Sequence, residues 1–114
     1  MARKKVLITG AAGRIGQALR RGLKDRYDLR LQYHRTVLPA EEGEEVFVAS
    51  VADLEKMEEV VAGVDAIVHM AGDPRVSAPW EAVLEANIQG TYCVYEAAKR
   101  QGVKREIGRA SCRE

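Results

Sequence analysis

The chain has 114 residues, 46% hydrophobic and 31% charged, and its 18 Lys and Arg against 17 Asp and Glu leave a net charge of +1. This length corresponds to one globular domain and excludes a two-domain enzyme. Because the charges are interspersed, we expect neither nucleic acid nor a membrane surface as a partner. No apolar run approaches the roughly 20 residues of a membrane span, and the first one breaks at Gly10, so we expect a cytoplasmic protein without a signal peptide. Cys93 and Cys112 have no metal-ligand spacing with either histidine, which predicts no metal site.

Strand and helix patterns alternate along the chain. The apolar run 6–9 predicts a first strand, and Ile15, Leu19 and Leu23 form one face of a following helix. Further strands are predicted at 29–33, 46–48 and 66–70, with a second helix over the apolar stripe Leu54, Met57 and Val61. The connection between the second and third strands is too short for an ordinary crossover helix. This alternation indicates an α/β fold with a parallel sheet.

A long helix is predicted from about Pro79 to Gln101. Its periodicity indicates one core-facing stripe: Trp80, Leu84, Ile88, Thr91, Tyr95 and Ala98. Asn87 lies on the same side, where a buried amide must find hydrogen-bond partners, and Gly90 indicates a close packing approach. His69, inside an apolar strand, is interpreted as a hydrogen-bonded structural residue rather than a base.

A glycine-rich turn, Gly10-Ala11-Ala12-Gly13-Arg14-Ile15-Gly16, joins the first strand to the first helix. In such a turn the first glycine permits the tight bend, the second lets a pyrophosphate approach the backbone, and the third lets helix and strand pack closely. The helix N-terminus offers N–H groups and the positive end of its dipole to the anion. A bare structural turn is the alternative, but the strand and helix context favours a dinucleotide site.

The G-x-x-G-x-x-G spacing of this turn, together with Asn87-Ile88-Gln89-Gly90-Thr91, resembles the extended short-chain dehydrogenase/reductase family, the NAD-dependent epimerase/dehydratases. The resemblance covers residues 4 to about 105, and the stretch Ala71-Gly72-Asp73-Pro74 is most similar to the uronate dehydrogenase-like members. It implies a Rossmann-type doubly wound parallel sheet, truncated after about four strands in the order 3-2-1-4, with the fourth strand as an exposed edge. It also implies a nicotinamide dinucleotide, a small-molecule substrate of the sugar or sugar-acid type, and a homodimeric parent protein.

The resemblance assigns cofactor contacts to the glycine turn and to the ends of the later strands. The residues of the turn are Gly10, Ala11, Gly13, Arg14, Ile15 and Gly16. Ser50 and Val51 would contact the adenine, at a place where family members often have Asp. Met70, Ala71 and Gly72 would line the ribose and phosphates, and Asn87 would support the active site from the last helix.

The end of the second strand bears on the choice between NAD and NADP. An acid there holds the ribose hydroxyls of NAD, whereas a nearby Arg accommodates the 2′-phosphate of NADP. This chain has Tyr33 in the place of the acid, followed by His34 and Arg35, so we favour NADP. Arg14 in the first helical turn also indicates a nearby anion, because the helix dipole disfavours a cation there.

The chemistry of the family requires a serine and a Tyr-x-x-x-Lys pair, and none of these can be placed. Tyr95 and Lys99 have the four-residue step but lie on the helix that carries Asn87, so we interpret them as a chance match. We therefore expect an inactive cofactor-binding part of an NAD(P)-dependent oxidoreductase or epimerase. The alternative is a non-catalytic, redox-sensing family member that binds dinucleotide.

The last nine residues, 106–114, resemble the translation of a common sequencing-library adapter. We expect a partial NAD(P)-binding domain over residues 1–105 followed by a non-native tail, with a divergent native tail as the alternative. On the first interpretation Cys93 is the one native thiol, and disulfide chemistry drops out.

Overall fold

The computed structural model describes residues 3–108, which form five strands and four α-helices. The strands are β1 (Lys5–Thr9), β2 (Asp28–Tyr33), β3 (Glu45–Val48), β4 (Ala66–His69) and β5 (Arg105–Gly108). The helices are α1 (Arg14–Leu23), α2 (Leu54–Val61), α3 (Trp80–Val83) and α4 (Gly90–Arg100), with the π-helical segment Leu84–Gln89 between the last two. The four predicted strands are confirmed to within one residue at each end.

The strands form one parallel sheet in the order β3-β2-β1-β4-β5. The predicted order 3-2-1-4 is confirmed, but the expectation that β4 forms an exposed edge is wrong, because β5 pairs with it from Ala66↔Arg105 to His69↔Gly108. Unpaired N–H and C=O groups at a strand edge accept an extended segment with little regard to its side chains. Residues 106–108 therefore belong to the sheet, while the rest of the predicted tail, including Cys112, lies outside the described residues.

Two apolar cores lie on opposite faces of the sheet. The core beneath α2 and α4 includes Leu7, Met57, Val61, Ile67 and Val94. The core beneath α1 includes Val6, Ile8, Leu29, Leu31 and Tyr33, with Leu19 and Leu23 packed against it. Helices on both faces of a parallel sheet make the fold doubly wound, and the predicted α/β class is confirmed.

The last helical region departs from the single α-helix that the periodicity predicted. Residues 84–89 are π-helical, and each residue turns an α-helix by about 100°, so a wider π turn changes which side chains face the core. The buried residues of α4 are Gly90, Cys93, Val94, Ala97 and Ala98. Trp80 and Tyr95 are instead 60% and 46% exposed, so their prediction as core aromatics is wrong. The predicted close approach at Gly90 is confirmed, since a Cβ there would lie 2.5 Å from Val51 Cγ2.

A buried ion pair, rather than a helix, holds the connection between β2 and β3. Arg20 of α1 donates through Nε to Glu44 Oε2 at 2.8 Å and through Nη2 to Glu44 Oε1 at 2.6 Å and to the Pro39 carbonyl at 2.7 Å. The two charged side chains are 9% and 4% exposed. The loop that begins at His34 is thereby fastened to α1 at its far end.

Candidate functional site

A cleft of about 930 Å³ lies at the carboxyl ends of β1, β2 and β4. Ligands of parallel α/β sheets bind at this edge, where the strand order reverses, here between β1 and β4. Most of the predicted contact residues line the cleft: Gly10, Gly13, Arg14, Ile15, Gly16, His34, Arg35, Val51, Met70, Ala71 and Gly72. Residues that were far apart in the sequence are thus brought to one concave surface.

The glycine turn is shaped by close backbone packing. Gly10 has a φ of +63°, and a Cβ on it would lie 2.7 Å from Ala71 Cα. A Cβ on Gly16 would lie 2.6 Å from the Gly10 carbonyl oxygen, so α1 packs directly on the turn. Gly13 is the N-cap of α1 and carries no side-chain cap, and the nearest atom to a Cβ there is 3.5 Å away. The first and third glycines therefore serve packing, whereas the second leaves the start of α1 open.

Gln32 of β2 supports this turn, although no sequence motif singled it out. Its Oε1 accepts a hydrogen bond from Gly10 N at 2.8 Å, and its Nε2 donates to the Ala49 carbonyl at 2.6 Å. The Gln32 carbonyl accepts from Ala11 N at 3.1 Å. Ala11 is consequently buried with its N–H in use, and the structure does not bring it to the cleft. The available signal was a polar residue between two core positions of β2, Leu31 and Tyr33.

Thr9 and His69 tie β1 and β4 together at their carboxyl ends. Thr9 Oγ1 lies 2.7 Å from His69 Nδ1 and accepts from the backbone N–H groups of Met70 at 2.9 Å and Ala71 at 3.1 Å. His69 Nε2 lies 3.4 Å from Thr91 Oγ1. His69 is 3% exposed, and burial lowers its pKa, which favours the neutral ring. These contacts agree with the predicted structural role of this histidine.

Asn87 fastens the loop that follows β4. Its Oδ1 accepts from Asp73 N at 2.6 Å, and its Nδ2 donates to the Asp73 carbonyl at 3.1 Å. A Cβ on Gly72 would lie 3.1 Å from Asn87 Oδ1, so a small residue is favoured between them. Both ends of the amide are therefore engaged by the loop, and Asn87 acts on the cleft through Asp73 rather than by lining it.

Two arginines and a histidine lie beside the end of β2. Arg14, His34 and Arg35 are exposed and line the cleft. The Tyr33 ring lies in the core with 1% exposure, and its hydroxyl is buried without a hydrogen-bond partner. Burial raises the Tyr33 pKa, so the hydroxyl stays neutral. The end of β2 therefore presents positive charge to the cleft and no carboxylate.

The loop after β4 supplies a further rim of the cleft that was not predicted. Asp73, Pro74 and Arg75 line it, and Arg75 Nη2 donates to Asp73 Oδ2 at 2.6 Å. Hydrogen bonds from Arg75 lower the pKa of Asp73 to about 2. Ser50, by contrast, lines a separate shallow depression, and its hydroxyl accepts from Ala52 N at 3.1 Å. The structure thus brings Val51 to the cleft but not its predicted partner Ser50.

Within residues 3–108, no group of three or more His, Cys, Asp or Glu side chains is arranged to hold a metal ion. The same range contains no helix that is long and apolar enough to cross a membrane. Cys93 is a buried free thiol whose pKa is raised by burial.

A doubly wound sheet in the order 3-2-1-4-5, with a glycine turn opening on the cleft between β1 and β4, defines a Rossmann-like domain. The chain belongs to the NAD-dependent epimerase/dehydratase family, whose family model matches residues 6–113. The resemblance on which the fold prediction rested is therefore confirmed.

Known dehydrogenases resemble the chain in sequence and structure. It is 43% identical over 106 residues to the NAD-dependent glucose-6-phosphate dehydrogenase of Haloferax volcanii, covering 88% of this chain and 40% of that protein. It is 45% identical over 105 residues to the uronate dehydrogenase of Pseudomonas syringae pv. tomato, covering 90% and 38%. A mutant uronate dehydrogenase from Agrobacterium tumefaciens, complexed with NAD, matches with a TM-score of 0.88 and 39% identity over 96% of this chain and 42% of that one. The chain therefore spans about two fifths of the length of these relatives.

Proposed function

We propose that the chain is the cofactor-binding part of an NAD(P)-dependent oxidoreductase or epimerase that acts on a sugar or sugar acid. The observation that carries the proposal is the glycine turn, where Gly10 and Gly16 are packed on backbone while Gly13 leaves the start of α1 open to the cleft. The relatives named for glucose 6-phosphate and uronate support the substrate class. When bound, a nicotinamide dinucleotide exchanges a hydride with the carbon that bears the substrate oxygen.

The residues around the cleft fit such a cofactor. α1 has ten residues, no acidic residue in its first turn and no side-chain cap at Gly13, so its N-terminal N–H groups suit a pyrophosphate. Arg14 lies in the first turn of α1, where the helix dipole disfavours a cation. A nearby anion such as a phosphate would make its charge favourable there. We assign the ribose and phosphates to the turn Met70–Gly72 and the adenine to the wall at Val51, all of which line the cleft.

We propose NADP as the preferred cofactor, because of the side chains at the end of β2. Tyr33 stands in the place of the acid and is turned into the core, while the exposed Arg35 and His34 line the cleft. An Arg pairs well with a phosphate group, whereas a ribose diol needs the missing carboxylate. The relatives named above include NAD-dependent enzymes, so this preference rests on residues of this chain alone.

Calorimetric titration with NADP and with NAD tests the cofactor and its preference. We expect Arg35→Ala to weaken NADP binding about tenfold, because a charge-assisted contact is lost, and to leave NAD binding within about twofold. The matched control is Arg21→Ala, which removes an exposed Arg of α1 that does not line the cleft, and it should change neither affinity. Tighter binding of NAD, unaffected by Arg35→Ala, would contradict the preference for NADP.

We propose that this chain binds cofactor without turnover. Tyr95 and Lys99 lie on α4 outside the cleft, and the Tyr95 hydroxyl instead lies 2.7 Å from where a Cβ on Gly108 would stand. NADH or NADPH formation with glucuronate or glucose 6-phosphate should therefore be undetectable by absorbance for the 114-residue chain. Substrate-dependent reduction of either cofactor would overturn this. A full-length protein that binds dinucleotide and lacks a Tyr-x-x-x-Lys pair would instead favour the redox-sensing alternative.

We propose that the native domain extends to about residue 105 and that residues 106–114 are non-native. Glu106 pairs in register with the fully buried Ile67, and its Oε1 is buried without a hydrogen-bond partner. A strand position whose side-chain atoms are buried normally carries an apolar residue, because burying an unpaired carboxyl group is costly. Sequencing the genomic locus with adapter-free primers tests this, and recovery of the same codons would contradict it.

We propose a homodimer for the full-length protein. Large apolar side chains on the segment from α3 to α4 are exposed, including Trp80 at 60%, Ile88 at 49% and Tyr92 at 61%. An apolar helical face of this kind suits a two-fold interface between copies. Light scattering of the full-length protein should give the dimer mass, and a monomer at micromolar concentration would contradict the proposal.

A further inference from the structure

We propose that His69 is a positioning residue for the dinucleotide cleft: as a neutral ring protonated on Nε2, it directs the Thr9 hydroxyl proton toward itself and thereby holds the turn Met70–Ala71 against Gly10. The inference rests on the proposed function and assigns a role to a residue that does not line the cleft.

The Thr9 hydroxyl has one proton and two acceptor lone pairs. Both lone pairs are used, because Thr9 Oγ1 accepts from Met70 N at 2.9 Å and from Ala71 N at 3.1 Å. The proton must then point at His69 Nδ1, 2.7 Å away, so Nδ1 is the acceptor and carries no proton. The ring proton therefore resides on Nε2.

The far side of the ring is consistent with this tautomer. His69 Nε2 faces Thr91 Oγ1 at 3.4 Å, and Thr91 Oγ1 donates its own proton to the Asn87 carbonyl at 2.7 Å. Thr91 Oγ1 is thus left as the acceptor for Nε2–H. A single direction of hydrogen bonding runs from Thr9 through His69 to Thr91 and Asn87.

The network bears on the cleft through the backbone of Ala71. A Cβ on Gly10 would lie 2.7 Å from Ala71 Cα and 2.8 Å from Ala71 N, so the two turns that line the cleft touch at this point. Placing a proton on His69 Nδ1 would aim a third donor at Thr9 Oγ1, and one of the two amides would lose its acceptor. The turn that faces the glycine loop would then lose part of what holds it in place.

The surroundings of His69 identify the other groups that can titrate nearby. Burial is the cause of its lowered pKa, and its hydrogen-bond partners, Thr9 and Thr91, are uncharged. On β5, Gly108 pairs opposite His69, and Glu106 pairs with Ile67 two residues before it. Glu106 is therefore replaced by Gln when affinity is measured against pH, so that its titration is removed.

Two amide substitutions test the contacts of the two His69 ring nitrogens independently. Asn places an amide oxygen near the position of Nδ1 and can accept from Thr9, whereas Gln places an amide nitrogen near Nε2 and can donate to Thr91. We expect His69→Asn to keep the calorimetric dissociation constant of NADP or NAD within about threefold of wild type. His69→Gln and His69→Leu should raise it about tenfold, the scale of one lost buried hydrogen bond. In the Glu106→Gln background, the affinity for NAD should fall more at acidic pH with His69 present than in His69→Asn.

A merely structural role predicts a different pattern. The three variants would then change the free energy of unfolding but leave the dissociation constant of the folded protein unchanged, and that result would overturn the inference. Loss of affinity in His69→Asn equal to that in His69→Leu would also overturn it, because the contact with Thr9 would not be the one that matters. Circular dichroism establishes that each variant is folded before it is titrated.

Nitrogen-15 NMR of the His69 ring in the wild-type chain tests the inference without any variant. An unprotonated Nδ1 at neutral pH, with slow hydrogen exchange of the Met70 and Ala71 amides, is expected, and a protonated Nδ1 would overturn it. If the wild-type chain binds neither dinucleotide, the proposed function fails, while the tautomer and amide protection still decide whether His69 holds the turn.

Discussion

Gly10 and Ala71 contact each other backbone to backbone where β1 and β4 end: a Cβ on Gly10 would lie 2.7 Å from Ala71 Cα. Gly10 also has a φ of +63°, which side-chain-bearing residues adopt only with strain. We expect Gly10→Ala to lower the free energy of unfolding in urea by about 2 kcal/mol. The control is Gly22→Ala in α1, where no atom lies within 4 Å of the new Cβ, and it should raise stability by about 0.5–1 kcal/mol. Similar effects from the two substitutions would contradict the contact.

Gly90 and Val51 form a second close approach, between α4 and the wall of the cleft. Because a Cβ on Gly90 would lie 2.5 Å from Val51 Cγ2, we expect Gly90→Ala to destabilise the chain by about 1–3 kcal/mol through overpacking. In a Val51→Ala background the same substitution should cost less, since the clashing methyl group is gone. The double-mutant cycle from urea unfolding measures this coupling, and additive effects would show that the two residues do not compete for space.

Arg20 and Glu44 should be the most sensitive ion pair to a single substitution. Hydrogen bonds from Arg20 lower the pKa of Glu44, and removing the carboxylate leaves the guanidinium 9% exposed without its partner. We expect Glu44→Gln to lower the free energy of unfolding by about 3 kcal/mol at pH 7. Because the folded pKa of Glu44 is depressed, its contribution is present above the unfolded pKa and is lost as the pH falls through the folded pKa.

The control for that pair is Glu41→Gln. Glu41 also approaches Arg20, at 3.7 Å, but its side chain is 57% exposed. Exposed ion pairs contribute little, so the free energy of unfolding should change by less than about 0.5 kcal/mol. If Glu44→Gln and Glu41→Gln lowered the free energy of unfolding equally, burial would not set the strength of these ion pairs.

Glu106 should make the chain less stable as the pH rises. Burial raises its pKa from 4.5 to about 7, so the folded state binds a proton more tightly than the unfolded state. The stability that comes from binding this proton is fully present below the unfolded pKa and is lost as the pH rises through about 7. Urea unfolding from pH 4 to pH 8 should therefore show a steeper loss for wild type than for Glu106→Gln. Glu59→Gln, an exposed glutamate of α2, is the control and should leave the slope unchanged.

Much of the fold followed from local pattern. The apolar runs at 6–9 and 66–70 and the spacing of Gly10, Gly13 and Gly16 predicted strands, turn and helix where the structure has them. The strand order of the first four strands came from the resemblance that those motifs carry, and the structure bears it out. Most residues of the cleft could also be predicted, because the carboxyl ends of neighbouring parallel strands meet at one edge of the sheet.

Local pattern failed where contacts between distant residues decide the outcome. After the π-helical segment Leu84–Gln89 the buried face of α4 leaves Tyr95 exposed, and Trp80 is exposed because α3 has no buried residue. β5 forms because the backbone edge of β4 is available, which no side-chain pattern in residues 105–108 indicated. Gln32 was not predicted, because its role is to accept a hydrogen bond from Gly10 N, which lies 22 residues away at the end of the neighbouring strand.

The sequence by itself determined the family, the parallel α/β class and the place of the glycine turn, because short motifs and local apolar patterns indicate these before any distant residues come into contact. Tertiary structure alone decided that Thr9 accepts from the turn after β4 while donating to His69, and that Tyr33 turns into the core while Arg35 faces the cleft. The physical reason is that hydrogen-bond direction and burial are properties of several elements packed together. They are undefined until residues some 60 positions apart, such as Thr9 and His69, come into contact.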